Sequence, residues 1–220
     1  FVQWVDNTLD IRKTPTVLFE PDDQFEFDVV DSPRELQALI NQRAAQGHTA
    51  RLVAGFCWPW SKPNSDGKLA TDVKVDDWEM PWNAKAQAGI LAPGIPKSSF
   101  WATERGGLDQ VGCVYTAQGF EFDFVGVVFG RDLVYRGKQG WVGQPEFSHD
   151  SKVKGSAKDS AQRFTDLVKQ TYRVLLTRGL KGCYVYFEDQ ATRDFVLSRL
   201  ELPTDRDDAV EVVETVKERT

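Results

Sequence analysis

Continuous apolar runs recur along the chain and alternate with patterns typical of helices. The runs cover residues 50–56, 111–115, 124–129 and 183–187. Because they are continuous rather than alternating, they are typical of strands that are covered on both faces of a sheet. Apolar residues at helical spacing occupy roughly 160–177 and 190–200. This alternation predicts an α/β fold with a mostly parallel sheet.

The amino-terminal part of the pattern predicts a strand and then a helix. Residues 25–29 alternate between apolar and polar side chains, as a short strand does. Ser32, followed by Pro33 and Glu35, has the features of a helix N-cap. Gly47 stands where a helix would end.

Two segments interrupt this alternation. Residues 57–107 form a Pro- and Gly-containing insertion, here called the Trp-rich insertion, which holds five of the seven tryptophans: Trp58, Trp60, Trp78, Trp82 and Trp101. Exposed tryptophans could stack on bases or grip a partner, but large aromatic side chains more often pin a loop to its domain, and we favour pinning. Residues 137–159 are polar, basic and Gly-rich, which predicts a mobile basic loop.

The charge is distributed unevenly along the chain. A net charge of -6 argues against a generic nucleic-acid coat. Between Arg131 and Lys181, however, eleven basic residues stand against five acidic ones. This excess indicates either one anionic partner at one site or a solvated basic loop, and both interpretations stay open.

Composition excludes several classes of protein. No apolar run approaches the ~18 residues of a membrane span, and no signal peptide is visible. Three separated cysteines and two histidines argue against a disulfide scaffold or a metal site, and they fit a reducing cytoplasm. Residue 1 is Phe and Met80 is the single methionine, so we expect the chain to be a piece of a longer protein.

Known phosphate-binding loops are absent from the sequence. The Gly-Lys pairs at 67–68 and 137–138 do not belong to a GxxxxGK[ST] loop, and no GxGxxG follows a strand. The apolar runs at 127–132 and 184–189 end in acids, as magnesium-binding strands do. Acids also commonly end buried strands, and without a phosphate loop we favour this structural interpretation.

The strongest local signals are residues 113–123 and 172–187. The first predicts a strand that ends at Tyr115 and a turn that presents Thr116 and Gln118 at the carboxyl edge of the sheet, where ligands bind in open α/β folds. The second predicts a helix that ends at Arg178 and Gly179. An arginine there can meet a phosphate, or it can simply complement the helix dipole.

These two segments resemble motifs of superfamily 1 helicases. TAQGFEFD (116–123) resembles motif V and VLLTRG (174–179) resembles motif VI, in the order and spacing of their second RecA-like domain. Nearly the whole chain resembles a family of uncharacterised bacterial ATPase proteins, a domain of unknown function that is related to the helicase-like part of the Schlafen proteins. The segments that carry this resemblance are 31–40, 51–60, 80–83, 109–123, 133–136 and 171–187.

The resemblance implies a RecA-like three-layer α/β/α domain of the P-loop type that lacks its own phosphate loop. Arg178 would contact the γ-phosphate of ATP and stabilise the transition state as an arginine finger. Glu121 would lie near the ribose, Gly119 would allow close backbone approach, and Gln118 and Thr177 would complete the nucleotide-facing set. ATP and Mg²⁺ would be held mainly by a missing N-terminal RecA-like domain.

The resemblance also implies a nucleic-acid surface and a division of the chain. Thr116 would face the DNA or RNA backbone, and Tyr115 could stack on a base. Residues 1–31 would lead in from the missing motor domain, residues 32–202 would form the second RecA-like domain, and residues 203–220 would be an acidic tail. The chain would be the C-terminal motor half of an ATP-dependent enzyme, inactive by itself.

Two alternatives to a motor half stay open. The first is a RecA-like module that binds RNA or DNA without hydrolysis. The second is a protein-interaction domain, and it requires that Trp58, Trp78 and Trp82 form an exposed apolar patch.

Overall fold

The computed structural model describes residues 1–21 and 24–200. Their helices are α1 (Val2–Thr8), α2 (Pro33–Ala45), α3 (Val114–Ala117), α4 (Ser151–Gly155), α5 (Ala161–Leu176) and α6 (Gln190–Leu197). Their strands are β1 (Glu26–Val29), β2 (Ala50–Ala54), β3 (Val73–Val75), β4 (Trp78–Met80), β5 (Val111–Gly112), β6 (Phe122–Phe129), β7 (Leu133–Tyr135), β8 (Trp141–Gly143) and β9 (Gly179–Phe187). No helix within these ranges is long and apolar enough to cross a membrane.

A parallel sheet forms the centre of the fold. Its strand order is β1-β9-β6-β2-β5, so the first strand of the chain lies beside the last. β6 and β9 run side by side through the middle of the sheet. Layers on both faces bury all of β6 except Asp123, and they bury β9 from Gly182 onwards except Tyr186, whereas the start of β9 is open to solvent. The strands β3 and β4, and likewise β7 and β8, form separate antiparallel hairpins.

Two hydrophobic clusters cover the two faces of this sheet. On one face, α1, α5 and α6 contribute side chains such as Trp4, Phe164 and Tyr172, all fully buried. On the other face, α2 contributes Leu36 and Ile40, which pack with residues of the Trp-rich insertion. The predicted three-layer α/β fold with a mostly parallel sheet is therefore confirmed.

The predicted strand at 111–115 is wrong in its second half. β5 ends at Gly112, and α3 begins at Val114. The cause is local capping, since the hydroxyl of Thr116 accepts a hydrogen bond from the N–H of Cys113 at 3.0 Å. The predicted N-cap of α2 is confirmed, because Ser32 Oγ accepts from the N–H of Glu35 at 3.1 Å.

The predicted lead-in and the predicted basic loop both contain regular structure. β1 belongs to the predicted lead-in, yet it pairs with β9, and Trp4 of α1 is buried in the same core. Residues 137–159 contain β8 and α4, while their mobility stays a prediction. The predicted acidic tail at 203–220 lies outside the described residues.

The Trp-rich insertion is held against the domain by its aromatic side chains. Trp78, Trp82 and Trp101 are buried, whereas Trp58 and Trp60 are half-buried. The indole N–H of Trp82 donates to the carbonyl of Pro59 at 2.8 Å, and its ring stacks on Phe56 with centroids 5.7 Å apart. Pinning of the loop is thus confirmed for the three buried rings. The protein-interaction alternative requires three exposed tryptophans, and two of them, Trp78 and Trp82, are buried.

Candidate functional site: two edges of one sheet

The segments that resemble motifs V and VI meet at the amino edge of the sheet. Phe122 and Gly179 pair as the first residues of β6 and β9, so the residues just before them lie at this edge. The N–H of Phe122 donates to the carbonyl of Arg178 at 2.9 Å. In return, Arg178 Nη1 donates to the carbonyl of Phe120 at 3.2 Å, and its Nε donates to Val174 at 3.0 Å. These bonds hold the guanidinium beside the turn that contains Gly119.

The amino-edge group comprises Gln118, Gly119, Glu121, Thr177 and Arg178, and two of its polar side chains are free. Gln118 and Glu121 are exposed, and neither has a side-chain hydrogen bond or ion pair within the described ranges. Gly119 has φ +92°, a backbone conformation that favours glycine. Thr177 differs, because its hydroxyl donates back to the carbonyl of Arg173 at 2.8 Å and caps α5. Arg178 has no carboxylate partner in the described part of the chain, so its charge is available to an anion.

A bulge at the start of β9 shapes this edge. Phe122 pairs with Gly179 but Phe124 pairs with Gly182, so β9 carries one extra residue there. A Cβ at Gly179 would lie 2.0 Å from the carbonyl oxygen of Gly182, so the bulge requires glycine. The extra residue turns Leu180 outward, where 59% of its surface is exposed beside Arg178.

Tyr115 and Thr116 lie on the opposite side, towards the carboxyl ends of the strands. The hydroxyl of Tyr115 donates to Asp150 at 2.6 Å, and half of the side chain remains exposed. Burial of the hydroxyl end and the Asp150 carboxylate raise the pKa of Tyr115, so it stays a neutral donor. Thr116 donates to the buried Asn83 at 3.0 Å and so fastens α3 to the Trp-rich insertion.

The predicted site is therefore divided between the two edges. The sequence predicts both Thr116 and Gln118 at the carboxyl edge; Thr116 lies there, but Gln118 belongs to the turn that leads into β6 at the amino edge. The reason is that α3 leads the chain back across the domain after β5, so a few residues connect one edge to the other. The residues assigned to the nucleotide and those assigned to nucleic acid consequently lie apart.

A groove at the carboxyl edge contains residues that sequence reasoning did not assign. The insertion groove has a volume of about 560 Å³, and its aromatic and basic lining residues are Phe56, Trp60, Lys85, Tyr115, His149 and Lys152. Lys85 Nζ lies 5.6 Å from the centre of the Trp60 ring. These six residues come from four separate stretches of chain. The sequence therefore showed their aromatic and basic character but not that they lie together.

Ion pairs within the domain use much of the charge of the basic region at 131–181. Its members pair with acids from elsewhere in the chain, as in Arg136–Asp189, Lys169–Asp10, Arg173–Asp6 and Lys181–Asp123. The local excess of positive charge therefore does not translate into one basic face. It leaves exposed lysines such as Lys138, Lys152 and Lys154, together with Arg178.

The acids that end β6 and β9 have structural roles. Asp132 is buried, and it accepts a hydrogen bond from Tyr172 at 2.6 Å. Asp189 caps α6 and pairs with both terminal nitrogens of Arg136 at 2.9 Å. Although burial opposes the shift, the hydrogen bonds from Arg136 and Thr192 lower the pKa of Asp189 to about 2. The structural interpretation of these acids is confirmed.

Glu188, the residue before Asp189, gives the protein a stability that should depend on pH. Burial raises its pKa to about 7 against the opposing charge of Arg131. Because the folded protein holds this proton where the unfolded chain has lost it, the free energy of unfolding should fall as pH rises from 5 to 8. In Glu188→Gln, this fall in the free energy of unfolding should be smaller by on the order of 1 kcal/mol. That is well below what the whole pKa shift would give, because the side chain is partly exposed to solvent.

Urea unfolding at pH 5.5 and pH 8 measures this effect. Glu146→Gln, which changes a glutamate at an exposed site, is the control, and its stability should depend on pH in the same way as that of the parent protein. An identical fall in Glu188→Gln and in the parent would contradict the assignment.

Comparison with known families agrees with the helicase resemblance. The family model of the Schlafen group 3, DNA/RNA helicase domain matches residues 1–189, which is most of the chain. The chain belongs to this family. The relation to the Schlafen helicase-like region is thereby confirmed, and this helicase-like domain includes the residues of both sheet edges. The assignment of motifs V and VI within it stays a prediction, as does the bacterial family.

A curated relative is similar to most of the helicase-like domain. The Uncharacterized protein YPL245W of Saccharomyces cerevisiae is 27% identical over 180 residues, which cover 79% of this chain. The same match covers only 37% of that protein, so the helicase-like domain spans little more than a third of its relative. No solved structure matches the chain significantly.

Proposed function

We propose that this chain is the second motor domain of an ATP-dependent, helicase-like nucleic-acid enzyme and that Arg178 is its arginine finger. The observation that carries the proposal is the contact between Arg178 and the turn at 118–121. It brings a cation without a carboxylate partner, a glycine turn and an exposed carboxylate to one edge. Membership of a DNA/RNA helicase family supports the same reaction.

The amino-edge group fits the periphery of a nucleotide rather than a complete site. Arg178 supplies a charge for a phosphate, and Glu121 supplies an acceptor for a ribose hydroxyl. No group of three or more His, Cys, Asp or Glu that could hold a metal occurs within residues 1–21 and 24–200. ATP and Mg²⁺ would therefore be bound mainly by a further domain, and bound ATP would supply the phosphoryl group. The residues of this chain would orient that group and neutralise the charge that develops on it.

The proposal predicts that the chain by itself does not hydrolyse ATP. An arginine finger stabilises a transition state only where the phosphates and Mg²⁺ are already held by other groups. Phosphate release by the pure chain should equal the buffer background, whereas the full-length protein should turn over ATP. Turnover by the pure chain that survives repeated purification would contradict the proposal.

A domain that binds nucleic acid without hydrolysis is the second candidate. It is favoured by the separation of the two edges, because the carboxyl-edge residues do not depend on a nucleotide. Binding of single strands by a full-length protein that shows no ATP turnover would select this candidate.

A further inference from the structure

We propose that the insertion groove binds an unpaired stretch of nucleic acid, with a base on Tyr115 and backbone phosphates at Lys85 and Lys152. This inference rests on the proposed nucleic-acid function and adds a location and a strand type to it. The Trp-rich insertion would then form one wall of the binding site as well as a structural cover.

Tyr115 provides a fixed platform for stacking. Its side chain is 51% exposed, while its hydroxyl is held by Asp150 at 2.6 Å. Asp150 is itself fixed because its other oxygen caps α4, at 3.0 Å from the N–H of Lys152. An exposed ring that is already oriented costs little further entropy when a flat ligand stacks on it. A base can reach this ring only when it is unpaired, which favours a single strand.

The charges around the groove favour a polyanion. Two adjoining depressions share Lys85 with the groove and add Lys62 and Lys97 to its basic residues. None of the four lysines, Lys152 included, has an ion-pair partner in the part of the chain that the structure describes. Asp150 is the one acid that lines these depressions, and its oxygens already accept from Tyr115, Lys152 and Val153. The surface is therefore positive on a protein whose net charge is -6.

The walls of the groove are rigid enough to act as a site. The N–H of His149 donates to the carbonyl of Phe56 at 2.8 Å, which ties the segment before α4 to the end of β2. On the other wall, the indole N–H of Trp60 donates to Asn83 at 2.9 Å. Asn83 also accepts from Thr116 and Asp150 accepts from Tyr115, so α3 is hydrogen-bonded to both walls.

Fluorescence anisotropy with labelled 20-nucleotide poly(dT), poly(U) and a matched duplex tests the proposal on the full-length protein. The parent protein should bind a single strand more tightly than the duplex, with a steep dependence on salt. Lys85→Ala combined with Lys152→Ala should weaken single-strand binding at least tenfold. The slope of log K against log salt should become shallower by about 1.4, which corresponds to two phosphate contacts.

Tyr115 variants separate stacking from folding. Tyr115→Leu should weaken single-strand binding about tenfold because the stacking platform is lost. Tyr115→Phe keeps the ring and loses only the bond to Asp150, so its affinity should stay within about twofold of the parent. The matched control is Lys13→Ala combined with Lys138→Ala, which removes two exposed lysines outside the groove and should also stay within about twofold.

The outcomes distinguish this inference from the proposed function. Single-strand binding that is unchanged in all groove variants would overturn the groove and leave the proposed function standing. A parent protein that binds no nucleic acid would overturn both. Equal losses of single-strand affinity in Tyr115→Phe and Tyr115→Leu would contradict stacking. Salt-independent binding of a protein to the groove would overturn the proposal in favour of a protein partner.

Discussion

Arg178→Ala in the full-length protein should lower ATP turnover about 10³-fold while ATP affinity falls less than tenfold. The reason is that an arginine finger acts on the charge of the transition state, and the ground-state nucleotide is held mostly by other groups. Steady-state phosphate release gives the turnover, and titration with a fluorescent ATP analogue gives the affinity.

Two further variants distinguish this role from a loss of local structure. Arg178 also donates to Phe120 and Val174, so its removal can loosen the turn at the amino edge. Arg178→Lys keeps the charge but loses the planar donor fork, and it should still lose most of the turnover. Arg163→Ala removes an exposed arginine of α5, the helix that precedes Arg178, and should change nothing. An unchanged rate in Arg178→Ala would remove the residue from the proposed reaction.

Trp82→Ala should lower the free energy of unfolding by about 3–5 kcal/mol, which is the usual range for truncating a buried Trp. The side chain is 1% exposed and contacts Phe56, Trp58 and Trp60. Its backbone forms a bridge to Val111, so the truncation would leave a cavity directly beside β5. Urea unfolding monitored by circular dichroism measures the change.

Trp58→Ala is the matched control for this prediction. Trp58 is half-buried and donates to the carbonyl of Lys74 at 2.7 Å, so its truncation should cost about 1–2 kcal/mol. If both variants lost equally little stability, the insertion would not be pinned to the domain, and an exposed interaction surface would again be favoured.

The sequence predicted the layers of the fold because burial leaves a direct pattern in one dimension. β2, β6 and the buried part of β9 are covered on both faces, so their apolar runs are continuous and could be predicted closely, whereas the exposed start of β9 could not. The length of β5 was overestimated because Val114 and Tyr115 continue the apolar run beyond the end of the strand. A single side chain, Thr116, decides the end of that strand by capping α3, and apolar patterning carries no record of such a bond.

The candidate site was less predictable because it depends on contacts between distant segments. The family resemblance implied that the turn at 118–121 and Arg178 face the same nucleotide. It did not indicate that they lie at the amino edge of the sheet. Lys85 and Lys152 join Tyr115 only because Asn83 and Asp150 fasten two separate segments to α3. For the basic region at 131–181, the sequence overestimated the free positive charge. Asp6, Asp10, Asp123 and Asp189 form ion pairs with its residues and neutralise much of that charge.

The pairing of the first strand with the last has a consequence for synthesis on the ribosome. In the described residues β1 pairs with β9 alone, and the indole N–H of Trp4 donates to the carbonyl of Arg199 at 2.9 Å. At roughly 5–20 residues per second, about 10–30 s pass between the emergence of β1 and that of its partner. During this interval Phe27 and Val29 lack their β9 neighbours, and Trp4 lacks its bond to Arg199. The nascent chain therefore presents an unpaired apolar edge until almost the whole domain has been made, and this is the stage at which a chaperone has most to protect.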